Sequence, residues 1–326
     1  MSHTRILGDA IGATFSTPLV SLAVAVLLAA VILFRPRRAP QTAPPGRYRA
    51  EHNTLAAGAL AVILLVVAEQ VIDGYLLTLT DVVAWWRYTT PLIAALLAIV
   101  ATIIMITTRG TTAPDIPAFP TTRRSWTSFG PRVGMPVAAA VAIALLVTTL
   151  AAGSASSADD RGRFVWLEIP VPNEQIDPLR PWFFGWSYGI PVLICLAALV
   201  AGTWGALHSN AARPFRSPES VAAERSARRQ TASGTIGIAI AGMLLTLAGA
   251  WRFISSAGAT VRLTVGDSGS FDATWRYAEF AQAAGVLAPA LEIAAFTILL
   301  LVASRALRRR ERTTTFPQAQ TAEVLP

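Results

Sequence analysis

With 53% hydrophobic and only 14% charged residues over 326 positions, and a mean hydropathy of +0.51, this chain lies far from the roughly 25% charged make-up of soluble domains. Its formal net charge is +8, and all 27 basic residues are arginine, a bias that points to a GC-rich bacterial genome. The composition excludes an ordinary soluble enzyme. Because the arginines gather on alternate linkers between apolar runs, they read as a membrane-topology signal and not as a nucleic-acid surface.

Seven apolar runs follow one another at 15–34, 54–74, 90–108, 134–153, 187–207, 233–254 and 278–304. Each is about as long as a bilayer is thick. The expected fold is therefore an all-α, polytopic bundle of seven transmembrane helices forming one domain over 1–312, with a disordered cytoplasmic tail at 313–326. Ahead of the first run stands only Arg5, whereas Arg35-Pro36-Arg37-Arg38 follows it. A cleaved signal peptide carries its charge on the other side, so this run is expected to be an uncleaved anchor.

The linkers after runs one, three, five and seven hold 19 arginines against six carboxylates (Glu51, Asp115, Glu219, Glu224, Glu311, Glu323). The opposite side holds eight arginines against eleven carboxylates, with Glu69 and Glu292 set apart as intramembrane. Positive residues mark the cytoplasm, which puts the N-terminus outside and the C-terminus inside a bacterial cell membrane. The cytoplasmic linkers are short and rich in Pro and Arg, and are expected as loops, with Ser217–Arg229 as a short interfacial helix. In the last linker Arg308, Arg309 and Arg310 are candidate contacts for anionic lipid.

The outer linkers 154–186 and 256–277 are longer. They hold strand-like stretches at Arg163–Ile169 and Thr260–Val265, expected to pair into a small external cap. Seven of the nine tryptophans lie at or beyond the outer ends. Among them Trp166, Trp182, Trp186 and Trp275 are candidates for an aromatic face that binds a ligand, with an interfacial belt as the plainer reading. A W-x-Y triplet (Trp86-Arg87-Tyr88, Trp186-Ser187-Tyr188, Trp275-Arg276-Tyr277) precedes three of the runs. Pro91 and Pro191 follow the first two triplets at equal spacing, a weak sign of repeated hairpins.

Small residues make a seam on the sixth run (Thr235, Ala239, Gly242, Thr246, Gly249) and another on the seventh (Ala281, Gly285, Ala288, Glu292, Ala295). Such seams let helices approach closely in lipid, and the two helices are expected to meet each other or a shared neighbour. Glu292 lies on its seam one turn after Pro289, where burial in the bundle favours a neutral carboxyl that donates to Thr246 or Thr148. Glu69, with Asp73 one turn further out, is the second candidate polar site. Arg87 and Arg252 are its nearest cations, and no arginine is expected at the depth of Glu292.

Gly266-Asp267-Ser268-Gly269-Ser270 resembles the serine segment of chymotrypsin-like proteases, but its last glycine is replaced by Ser270 and no histidine is expected on the outer side apart from His3 in the terminal tail. It reads as a hairpin turn. His52, His208 and the single Cys195 show no metal-ligand spacing, and no cofactor is expected. Seven helices with an outside N-terminus resemble the rhodopsin-like topology. With no lysine to carry retinal, that likeness ends at the helix count.

Three functional readings follow. The first is a non-enzymatic membrane component that binds a lipid-like ligand or a partner membrane protein through the outer aromatic face; the expected partners are the lipid bilayer and a partner membrane protein or a second copy of the chain. The second is a small transporter or proton-coupled permease using Glu292 and Glu69. A membrane enzyme is the third.

Overall fold

The computed structural model describes residues 18–34, 47–72, 81–109, 125–171, 177–215, 220–259, 261–264 and 270–314. They form seven helices: α1 (Pro18–Phe34), α2 (Arg47–Val71), α3 (Trp86–Arg109), α4 (Gly134–Ala155), α5 (Trp186–Ala212), α6 (Val221–Gly258) and α7 (Ala278–Thr314). Six of them, α2 to α7, are long and apolar enough to cross a membrane, while α1 has 17 residues. The all-helical membrane architecture expected from the hydropathy pattern is thus present, with six qualifying spans among the described residues. Asp73, Gly266–Gly269 of the hairpin-turn segment and the tail beyond Thr314 lie outside those residues.

Helix α6 is the axis of the bundle. It touches α2, α3, α4, α5 and α7, and from Thr231 to Leu247 nearly every side chain is buried. The sequence reading gave this helix a single packing seam of small residues. Instead Ile236, Ile238, Ile240, Met243 and Leu245 are buried as well. The seam itself faces α3: a methyl group at Gly242 would lie 2.9 Å from the Pro91 carbonyl and 2.8 Å from Ala95 Cβ. One turn later Thr246 donates to the Tyr88 carbonyl at 2.9 Å. Helix α7 takes a different face of α6, at Gly237, Ser255 and Gly258, and there its own seam is buried at Ala281, Ala288, Glu292 and Ala295. Helix α1 rests on α7 and touches α2 lightly, through the small side chains Ser21, Ala25 and Ala29.

Two helices begin earlier than their apolar runs. Helix α6 has 38 residues, about 57 Å at 1.5 Å per residue, so it outreaches a hydrocarbon core of roughly 30 Å. Of the stretch expected as a separate interfacial helix, Val221–Arg229 forms the first turns of α6, continuous with the span, while Ser217–Glu219 lie outside the described residues. Val221–Gln230 holds three Ala and three Arg, both good helix formers, and carries the Glu224–Arg228 pair at i,i+4 spacing. Helix α2 likewise starts at Arg47, seven residues before its run.

The expected outer strands do form, in a different arrangement. Ser157–Ala158 (β1) pairs antiparallel with Phe164–Trp166 (β2), and Val261–Thr264 (β3) with Ser270–Ala273 (β4). Each linker makes its own hairpin, so the two do not share one sheet. Both hairpins lie at the same end of the bundle, with the starts of α3, α5 and α7. The ends of α5 and the starts of α2 and α6 lie at the other.

Candidate functional site

Glu292 sits inside the bundle as expected, at 3% exposure. Its partner is not a threonine. Arg252 of α6 grips the carboxylate side-on, Nε to Oε1 at 2.6 Å and Nη2 to Oε2 at 2.8 Å. The hydroxyl of Ser21 on α1 donates to Oε2 at 2.6 Å. Three donors therefore converge on Glu292, which accepts where the sequence reading had it donate. Thr246 is spent on Tyr88, and Thr148 accepts the indole N–H of Trp251 at 3.2 Å. The error came from judging depth by position within a run. Helix α7 begins with the mixed segment Ala278–Gly285, so its apolar count overstates how deep Glu292 lies, and the long arginine stem covers the remaining offset.

Glu69 is half-buried on α2 and does not join that cluster. The four tryptophans are likewise held by different neighbours. Trp166 and Trp182 face each other across an isolated antiparallel bridge. Arg180 lies over Trp166 with its Cζ 5.8 Å from the ring centre, and Arg163 over Trp182 at 5.9 Å. Trp186 covers Gly153 of α4, where a methyl group would lie 2.6 Å from the indole. Trp275 covers Gly258 and meets Phe183 edge-on at 5.6 Å. The aromatic centre of this end of the bundle was missed: Tyr88, Phe184, Tyr188 and Phe253 form one cluster with ring centres 5.1–6.2 Å apart. The tyrosines of the first two W-x-Y triplets meet there, and both triplets open their helices, at Trp86 and Trp186. The third triplet stops short of its helix, and Tyr277 is exposed.

Beneath the tryptophans the β1–β2 turn is held by charge. Asp159 accepts the backbone N–H of Arg161 and Arg163 at 3.0 and 2.7 Å and the Arg163 Nε at 2.6 Å. Gly162 supplies the left-handed φ of 75° that this turn needs. Asp81, before α3, takes Arg161 at 2.8 Å and Arg163 at 3.0 Å. Burial pushes the Asp159 carboxyl up, but the backbone and guanidinium donors outweigh it and hold the group below the usual carboxylate range. Hydrogen bonding from Arg163 and the charge of Arg161 do the same to Asp81.

The opposite end holds a second buried network that sequence reasoning scattered over loops. Arg213, just past α5, forks onto Glu51 of α2 at 2.5 and 3.0 Å and reaches Asn210 at 2.9 Å. Arg228 of α6 is fully buried. Its Nε donates to the Tyr48 hydroxyl at 3.2 Å, Nη1 to the Arg213 carbonyl at 2.7 Å and Nη2 to the Pro214 carbonyl at 2.8 Å. Glu224 lies 3.6 Å from it, and the Phe215 ring stacks at 4.4 Å. In the sequence both arginines read only as topology signals. The available clue was that Glu51, one of the few carboxylates on that side, lies three residues before an apolar run. Arg308, Arg309 and Arg310 lie on the last turns of α7; their side chains are outside what the structure describes. No group of three His, Cys, Asp or Glu residues could hold a metal ion among the described residues.

Apart from the charged β1–β2 turn, two charged clusters stand among the helices of the described residues. One, at the loop end, has every guanidinium nitrogen of Arg228 engaged and works as a clamp among α2, α5 and α6. The other, between α1, α6 and α7, is smaller and partly open. No known protein family, curated protein or solved structure matches the chain.

Proposed function

We propose that the chain is a non-enzymatic, multi-pass component of a bacterial cell membrane, N-terminus outside and C-terminus in the cytoplasm. In this reading it binds a lipid-like ligand at the hairpin end. The supporting observation is the pair of arginine–tryptophan stacks on the first hairpin, Arg180 over Trp166 and Arg163 over Trp182. At headgroup level an indole seats the apolar part of an amphiphile, and a guanidinium beside it supplies donors for a phosphate. Arg180 is half exposed and its only ion pair among the described residues is the equally exposed Glu168 at 3.3 Å, a contact that costs little to exchange.

Nanodiscs of phosphatidylcholine doped with dibromostearoyl phosphatidylglycerol test this reading through tryptophan quenching. Quenching should saturate at a low fraction of the brominated lipid, and the saturable part should disappear in Arg180→Gln. Quenching that simply tracks the bulk fraction, unchanged in that variant, overturns the reading. A partner protein or second copy retained in mild detergent, in place of lipid, would assign the same face to protein contact.

The intramembrane carboxylates favour a second reading, a proton-coupled permease using Glu292 and Glu69. Glu292 already receives three donors, so a relay must break that set in each cycle. pH-driven flux in proteoliposomes that Glu292→Gln abolishes would support it over the first.

A further inference from the structure

Arginine is used in two ways inside this bundle. Arg228 is saturated: Nε, Nη1 and Nη2 all donate, an aromatic ring covers the plane, and nothing is exposed. Arg252 is not. Of the five N–H donors of a guanidinium, Glu292 takes one from Nε and one from Nη2. Among the described residues Nη1 has no hydrogen-bond partner. The Arg252 side chain is 24% exposed beside a Glu292 that is 3% exposed, so the opening is on the cation's side of the pair.

Position adds to this. Arg252 lies six residues before the end of α6, about 9 Å below it at 1.5 Å per residue. An arginine there ordinarily extends toward the interface, where headgroups meet it. Here Glu292, itself held by the Ser21 hydroxyl, holds it down. The same stretch of α7 turns Phe280, Val286 and Leu287 outward, an apolar surface suited to an acyl chain.

We propose that the open side of Arg252, in the cluster shared by α1, α6 and α7, is a second binding site, and that it takes the anionic headgroup of a phospholipid. Glu292 is the internal competitor for the guanidinium, and Ser21 keeps a donor on Glu292 when the headgroup draws Arg252 away. The ligand class follows from the chemistry: a planar donor array bound by a carboxylate is matched equally by a phosphate. This site rests on the amphiphile-binding reading but is separate from the arginine–tryptophan face.

Competition makes a prediction that a purely structural ion pair does not. Removing the charge of Glu292 should strengthen headgroup binding. The full chain, reconstituted in phosphatidylcholine nanodiscs with a minor fraction of phosphatidylglycerol, is read by native mass spectrometry for retained lipid. Glu292→Gln should retain phosphatidylglycerol roughly tenfold more tightly. Arg252→Gln, or Arg252→Lys should the former fail to fold, should lose the adduct, with phosphatidylcholine retention unchanged. Arg180→Gln should leave it in place, so that failure at the hairpin face and failure here are told apart. Equal retention in wild type and both position-252 and position-292 variants, or weaker retention in Glu292→Gln, overturns the proposal. Full displacement by millimolar inorganic phosphate would replace the lipid by a free anion and overturn the headgroup assignment.

Discussion

The clamp around Arg213 and Arg228 shows what a buried charge does in this chain. Glu51 and Arg213 are almost wholly buried, so each depends on the other for the solvation that water no longer gives. Removing one partner leaves a stranded charge and costs about 3–5 kcal/mol, whereas removing both replaces the pair by apolar packing that is often neutral. Arg213→Met and Glu51→Leu should therefore each destabilise by that amount, and the double variant should recover most of the loss. Unfolding in mixed micelles measures all three. Additive losses would mean that the pair does not act as a unit. None of this was visible residue by residue in the sequence. Arg213 and Arg228 belong to a linker whose arginine content is explained equally well by topology, and a burial signal appears only when α2 and α6 start earlier than their apolar runs. Glu292 was legible because a carboxylate in an apolar run has nowhere else to go. Its partner was not, because depth along one helix does not fix depth along its neighbour.

At the scale of elements, hydropathy located the helices well and their faces poorly, and the reason is physical. In water an apolar stripe identifies the buried side of a helix. In lipid both the core and the surroundings are apolar, so the Ile and Leu side chains of α6 carry no directional information. Only the small residues do, and they marked a close approach without naming the neighbour. That neighbour is α3 at Gly242. A methyl group there meets backbone as well as Ala95, so Gly242→Ala must push the helices apart, at about 1–3 kcal/mol. At Gly249 the nearest atoms are the Tyr88 ring at 3.5 Å, ordinary contact distance, and Gly249→Ala should be close to silent. Thermal unfolding of the two variants in the same detergent checks the contrast. Equal effects would mean that the α3–α6 approach is not the tight contact described. The hairpins follow the same logic: strand-like runs predicted strands, but which strand pairs with which was set by the short turn within each linker, not by resemblance between the linkers.

For the whole molecule, the arginine asymmetry and the helix arrangement constrain each other. Because α6 runs the length of the bundle, the β1–β2 turn and the start of α6 must lie on opposite sides if α6 crosses the bilayer. In the proposed orientation the arginine-rich side is taken as the cytoplasmic one, by the positive-inside rule. That rule acts while the chain is being inserted, so the later burial of Arg213 and Arg228 does not cancel their topogenic weight. Cysteines at Asp160 and Ala222, both exposed, report the two sides in a Cys195→Ser background. A membrane-impermeant maleimide on intact cells should label Asp160→Cys at once and Ala222→Cys only after permeabilisation. The reverse order would invert the molecule, moving the arginine–tryptophan stacks and the open side of Arg252 to the cytoplasmic leaflet. Labelling of both from one side would mean that α6 does not span, and the bundle axis would then need another explanation than a membrane.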